Sequence, residues 1–553
     1  MESTASMRVH HYRQILLWPL QLLPLRPDSQ IQRHWEVLEE GGADCPWHAV
    51  IDEFTGDPTE FQERHYNEFV TFLPYVQRFL YGEGRVRRGN GKEAGGPERG
   101  PGVSPMRVFR RDDVAAVRVV IGAGEPPVTL RIVHVDLYFF YDIDVVLLNV
   151  EVHADDLTLS QAQEIMYRLG RAYPAGWDEQ QQGLHSTASF EWLAPDGRVL
   201  AASDTNERAR FLAYVGEHRA PRIGAQWAFL LKPLLPENVD VKGLIRYRQL
   251  EYYRMPLLAY VAVDDPAALT RADFIRLGLV TGSGDDIPYS ESHLGDFEAR
   301  HCYDRYWCGS GRAPQTRYLS CGHALVVVGD AHSAYFRDSE RGVLGQFRHQ
   351  HFLLFLIAHF QKAALLMFSD RLADALKRLD IADADSIRQF KRAIRQNFEI
   401  FLRFTHRYWF HEVSEQAQAK ALFQLCSEHL GLDPLYAEVK ERISEMNTYL
   451  EGDNLRRQAN TVVRLTVVTT FGLIGTVATG FLGMNLLAEA DSPIGRRVLI
   501  FLVVLAIATL MTIYTLSKAK RMSDFLDALS DERLPTRAKF VALLDVWRSR
   551  DRP

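Results

Sequence analysis

The sequence predicts an α+β (α/β) domain with a mixed sheet, followed by a helical bundle, a long stalk helix and two transmembrane helices. Three observations predict it. Alternating runs rich in Val, Leu and Tyr fill the first part of the chain. Helical periodicity takes over from Gly345. Two uncharged runs, Leu465–Leu487 (23 residues) and Val498–Ser517 (20 residues), stand close together near the C-terminus. About 20 apolar residues cross the hydrocarbon core of a bilayer as a helix.

A chain of 553 residues exceeds what one domain usually holds. Its 47% hydrophobic and 24% charged composition excludes a wholly disordered or collagen-like chain. The net charge of −6 gives no basic footprint for nucleic acid. A mean hydropathy of −0.17 excludes a protein made mostly of membrane helices, while leaving room for a short membrane part. Five cysteines, Cys45, Cys302, Cys308, Cys321 and Cys426, are too scattered for a disulfide framework and fit a reducing cytosol.

Residues 1–344 form the expected cytosolic α/β domain. The apolar stretch Ile15–Leu25 is broken by Pro19, Gln21 and Pro24, and no small-residue cleavage site follows. It reads as an internal strand or loop rather than a signal peptide. The Gly/Arg/Pro-rich segment 82–105 reads as a flexible loop and holds no GxxxxGK[ST] phosphate loop. Strands are expected at Ala115–Ile121, Val128–Phe140, Val145–Val152, Ser189–Leu193, Trp227–Leu231, Leu257–Val263 and Tyr318–Val328. Helices are expected at Thr158–Arg171, with Thr158 as cap and Gln161 three residues on, at Asn206–His218 and at Thr270–Leu277.

Residues 345–433 read as helices over Gly345–Ser369, Asp370–Leu379, Ala384–Trp409 and Ser414–Leu430. Pro434 opens a very long helix that continues into the first span, so 434–487 reads as one stalk. A short loop, 488–497, then joins the second span, 498–517, and a basic, amphipathic tail covers 518–553. Arg456, Arg457, Arg464, Lys518, Lys520 and Arg521 flank the spans on the outside, against Arg496 and Arg497 in the connecting loop. That bias puts both termini in the cytoplasm.

The spans differ in chemistry. The first carries Gly472, Thr476 and Gly480 four apart, and likewise Gly475, Thr479 and Gly483. Such rows let helices approach closely in lipid. The second is bulky and lacks glycine, as suits a lipid-facing outer ring. Two helices cannot enclose a water path, so conduction would need several copies around an axis.

At the end of the first span stand Gly483, Met484 and Asn485, followed by a short acidic loop, a second span and a basic end. This arrangement resembles the CorA family of divalent-cation channels and transporters, over about residues 433–521. The resemblance implies a funnel-shaped homopentamer in a bacterial-type inner membrane. It implies a pore lined by the first span, an outer filter of Gly483, Met484 and Asn485, and Mg²⁺ as the transported ion.

The chemistry of that ion fits such a rim. Mg²⁺ dehydrates reluctantly, and a ring of Asn485 carboxamides would accept hydrogen bonds from its hydration shell. Glu489 and Asp491, repeated around a ring, would concentrate cations outside, with Arg496 and Arg497 partly cancelling the field. Relatives often carry a pore-facing threonine where Thr476 stands. From there Leu473, Thr469, Leu465 and Val462 follow inward at helical spacing, as one polar collar and then an apolar constriction able to gate by dewetting. On a straight helix Thr476 and Asn485 lie on opposite faces, so both reach the axis only if the triplet leaves regular helix.

Leu482 and Leu486 flank the triplet where the family usually places aromatics. The alternatives kept open are therefore a Zn²⁺, Ni²⁺ or Co²⁺ transporter of the same fold, like the zinc transporter ZntB, and a non-transporting, membrane-anchored scaffold or sensor. Two further clusters carry metal-ligand residue types: Cys302, Cys308, Cys321 and His323 with His301, and the acidic set Asp380, Asp383 and Asp385. The first has no standard zinc spacing, and the second suits a helix cap. No nucleophile motif or resident cofactor is legible, so no enzyme is expected.

Overall fold

The computed structural model describes residues 6–23, 33–39, 41–42, 45–50, 63–82, 104–239, 245–283, 289–380, 383–483 and 493–517. The chain divides into two units, Met1–Ser444 and Glu445–Pro553.

The first unit is built on one mixed sheet. Its strands are β1 (Arg8–Leu23), β2 (His48–Ala49), β3 (Met106–Arg110), β4 (Ala116–Val120), β5 (Val128–Phe140), β6 (Ile143–Thr158), β7 (Ser189–Leu193), β8 (Val199–Ala202), β9 (Leu235–Pro236), β10 (Arg246–Gln249), β11 (Leu257–Val263), β12 (Cys302–Tyr303), β13 (Arg317–Ser320) and β14 (Ala324–Asp330). The spatial order is β12-β13-β14-β11-β1-β6-β5-β4-β7-β8; β10 joins β1 to β9, and β3 joins β5 to β2. Only β11 with β14, and β9 with β10, run parallel among the described pairs.

The apolar stretch near the N-terminus is the central strand β1. It pairs along its length with β6 on one side, and on the other first with β11, up to Leu16, then with β10 from Leu20. Leu17 donates its N–H to Pro256 on that second side, so the missing N–H of Pro19, two residues on, would point the same way. Pro19 falls in the gap between β11 and β10, which is how a central strand tolerates proline.

Ile15, Leu16, Leu17 and Trp18 are all buried, so both faces of β1 are covered. Leu16 and Trp18 join Ile165, Met166 and Trp227 in one core cluster on the face of the helix Leu159–Arg168. The other face receives the core helix Phe352–Lys377, whose Phe360 ring stacks on Phe140 of β5 at 3.8 Å between centroids. The cap expected at Thr158 is present: its hydroxyl accepts from Gln161 N–H, while the Gln161 side chain accepts from Thr158 N–H.

Three expectations are corrected. Trp227–Leu231 belongs to a helix, Ala225–Leu231, not a strand. A five-residue apolar run carries no decisive period, and here Trp227, Leu230 and Leu231 share one buried helical face. The run Tyr318–Val328 is a hairpin, β13 and β14, rather than one strand. Gly322 turns it at φ 86°, and a Cβ there would come within 2.8 Å of the His429 carbonyl oxygen. Gly345–Ser369 and Asp370–Leu379 are not two helices. One helix, Phe352–Lys377, runs through Asp370, whose carboxylate accepts from Arg248 Nη1 at 2.6 Å, and a π-helical turn, Phe347–His351, precedes it.

The stalk helix runs Leu432–Gly483, 52 residues or about 78 Å, with Pro434 in its first turn. The last helix, Ile494–Ser517, begins four residues earlier than the second span was expected to begin, so Arg496 and Arg497 stand in its first turn rather than in a loop. Of the loop expected at 82–105, residues 83–103 lie outside the described residues, as does the tail 518–553.

Candidate ion-path residues and metal-ligand clusters

Val462, Leu465, Thr469 and Thr476 are exposed on the stalk helix and, with Leu473, fall within an arc of about 80° at 100° per residue. The side chain of Leu473 lies outside the described residues. Thr469 donates its hydroxyl proton to the Leu465 carbonyl oxygen at 2.6 Å, and Thr476 donates to Gly472 at 2.7 Å. These back-bonds let a threonine sit in an apolar medium, while its oxygen lone pairs remain acceptors. The helix is described through Gly483; Met484, Asn485, Glu489 and Asp491 lie outside the described residues. A Cβ added at Gly472, Gly475, Gly480 or Gly483 would meet nothing within 4 Å. Among the described residues nothing requires glycine there, although each costs a helix about 1 kcal/mol relative to alanine.

Two apolar helices stand in opposite surroundings. Among the described residues one helix is long and apolar enough to cross a membrane, Val343–Lys377, and 83% of its most apolar window is buried inside the fold. It is a core helix. In Ile494–Ser517, by contrast, the consecutive residues Phe501, Leu502 and Val503 are 48%, 53% and 50% exposed. The described apolar side chains of this helix are mostly exposed, with Ile500 and Val504 half-buried on one face.

The cysteine cluster does not gather. Cys302, Cys308, Cys321 and His323 supply no group of three ligand atoms within 4.8 Å of one another among the described residues. Cys321 Sγ touches His323 Nδ1 at 3.2 Å, but burial pushes the Cys302 and Cys321 thiols up to about 12 and His323 down to about 3. Both thiols are protonated in the metal-free fold. His301 donates to the Ser320 carbonyl oxygen and stacks on His429 at 4.2 Å. The acidic set is a cap: Asp383 accepts from Asp385 and Ser386 N–H at the start of Ala384–Arg407, and Asp385 pairs with Arg388.

The buried imidazoles have a consequence. His323, at about 3, and His351, at about 4, are neutral in the fold, whereas an unfolded histidine takes a proton near 6.5. The unfolded state then binds more protons between roughly pH 6.5 and 4, and stability falls as pH drops through that window. Denaturation midpoints measured from pH 7 to 5 should decline; a flat profile would contradict it.

One group of three metal-ligand side chains does come together, and sequence reasoning missed it: His10, Asp264 and His332. His10 Nε2 is hydrogen-bonded to Asp264 Oδ1, and His332 Nε2 lies 3.4 Å from that oxygen. The His10 hydrogen bond is the main cause holding the Asp264 carboxyl below its usual range. Separations of 254 and 68 residues leave no spacing motif; only strand pairing joins them. No protein-family model matches the chain, and no curated protein matches it.

Proposed function

We propose that the chain is a CorA-like divalent-cation channel or transporter of a bacterial-type inner membrane, with Mg²⁺ as its ion. In this reading the stalk helices of a homopentamer line the pore and both termini are cytoplasmic. The observation that carries membrane embedding is the uncovered apolar surface of Ile494–Ser517, which water would penalise at about 25 cal/mol per Å² and hydrocarbon would not. Glycines that no described residue crowds support close approach of neighbouring copies. The ion path itself rests on the Gly483-Met484-Asn485 triplet at the outer end of the first span.

Purified protein in liposomes should pass Mg²⁺, and Asn485→Ala should remove that flux while the oligomer still assembles. Unchanged flux in the variant counts against the filter. Preference for Zn²⁺, Ni²⁺ or Co²⁺ over Mg²⁺ selects the softer-ion cargo, and no flux with any of the four selects the membrane-anchored scaffold.

A further inference from the structure

We propose that His10, Asp264 and His332 form a binding site in the first unit for one borderline divalent transition ion, Zn²⁺, Co²⁺ or Ni²⁺. The site is a product of the sheet. β11 ends at Val263, and Asp264 is the next residue. β14 runs parallel beside it, with Asp330 opposite Val263, and His332 follows two residues on. β1 runs antiparallel to β11, with Val9 opposite Val263. Three adjacent strands therefore deliver their donors to one end, beyond the carboxyl ends of the parallel pair, where sheets of this kind favour ligands.

Two local devices aim the side chains. The register between β1 and β11 slips by one residue between Val9 and His11, so His10 is the extra residue of a β-bulge. Bulges turn a side chain away from the regular pleat, often beside functional sites. After β14, Ala331 N–H donates to the Val263 carbonyl oxygen at 2.8 Å and His332 N–H to Asp330 Oδ1 at 2.7 Å. Ser333 N–H closes the turn on the Asp330 carbonyl oxygen at 3.2 Å. The His332 backbone is thus fixed beside Asp264 before any ligand arrives.

The spacing suits a metal. The three ligand atoms lie within 4.8 Å of one another, and the His10 and His332 rings meet edge-on at 5.6 Å. With bonds of about 2.0–2.1 Å, the edge of a tetrahedral site is ~3.3–3.4 Å. Asp264 Oδ1 and His332 Nε2 already stand 3.4 Å apart. On binding, the proton shared by His10 and Asp264 leaves and the ion takes its place, a release expected for imidazole ligands. Asp264 and His332 are exposed, which leaves coordination positions for water.

A further carboxylate stands near His10. Asp156 Oδ1 lies 3.9 Å from His10 Nδ1, the nitrogen that faces away from the ion. Asp156 is held with φ at 58°, and Arg8 donates to it from Nε at 2.8 Å and Nη2 at 2.6 Å. At 3.9 Å the carboxylate adds negative charge behind the ligating ring without a hydrogen bond to it. Two imidazoles and one carboxylate favour Zn²⁺, Co²⁺ or Ni²⁺, whereas Mg²⁺ prefers an all-oxygen shell. This site is therefore chemically distinct from a path for hydrated Mg²⁺.

Co²⁺ titrated into the full-length protein in detergent tests it through visible d–d absorption, followed by displacement with Zn²⁺. One equivalent per chain should bind, with the signal lost in His332→Ala and Asp264→Asn. Asp156→Asn, which removes only a nearby exposed charge, should weaken it by less than about tenfold. Asparagine also tolerates a positive φ, so that variant keeps its backbone. Cys321→Ser and Asn485→Ala should leave the signal intact, which separates this site from the thiol pair and from the pore rim. Absence of saturable binding, or d–d bands that persist in His332→Ala and Asp264→Asn, would show a surface hydrogen-bonded cluster only. Neither result depends on ion flux.

Discussion

Replacing Ile507 by lysine should weaken insertion of the last helix into the membrane and loosen the chain's hold on the integral membrane fraction. Ile507 stands in the middle of the last helix and is 53% exposed, amid equally uncovered Val503 and Leu510. If hydrocarbon covers that surface, exchanging isoleucine for lysine at mid-helix swings insertion by about 3–4 kcal/mol, a hundredfold or more in the inserted fraction. If water covers it, the same exchange is nearly neutral, since surface substitutions usually stay within about 0.5 kcal/mol. Leu376→Lys supplies the control: Leu376 is also exposed, but on the core helix of the first unit. Resistance to alkaline carbonate extraction should fall for Ile507→Lys and hold for Leu376→Lys. Equal extraction of parent and Ile507→Lys would mean that protein or water, rather than lipid, surrounds this helix.

The sheet was legible wherever local pattern and burial agree. Val128–Phe140, Ser189–Leu193 and Leu257–Val263 are strands over the expected residues, because each reads as a β-rich run between turn residues. The capped helix after Thr158 was legible for the same reason, since a capping box is a purely local signal. What failed was non-local. Whether Trp227–Leu231 coils or extends depends on the partners of Trp227, which donates its Nε1–H to the Arg171 carbonyl oxygen, 56 residues back. Asp370 reads as the start of a second helix, yet it lies inside one continuous helix and accepts from Arg248. His10 resembles an ordinary strand residue until pairing with β11 makes it a bulge. Cys302, Cys308, Cys321 and His323 share ligand chemistry without sharing a place, while His10, Asp264 and His332 share a place without any sequence proximity. Residue type proposes a site, and chain topology decides whether one forms.

Phe360→Ala should cost about 3–5 kcal/mol of stability, the usual range for removing a fully buried aromatic ring from a core. Phe360 has no exposed surface. Its ring stacks on Phe140 at 3.8 Å and Phe79 at 5.8 Å, with Tyr408 edge-on at 5.6 Å. These partners come from a strand and from helices far apart in the chain, so the cavity has no single flexible neighbour to fill it. Denaturant unfolding of the full-length protein, followed by emission of the buried Trp18, Trp192 and Trp227, should show a lower midpoint with an unchanged slope. A loss below about 1 kcal/mol would mean that the site collapses around alanine or that Phe360 is not in a packed core. The contrast with the last helix is the physical point. Val343–Lys377 is long and apolar and satisfies its apolar surface with protein. In Ile494–Ser517 the described apolar side chains are mostly exposed. Hydropathy counts apolar side chains without regard to what covers them. Truncation at Phe360 and charge insertion at Ile507 measure that covering directly, one by the cavity it leaves and the other by the solvent it meets.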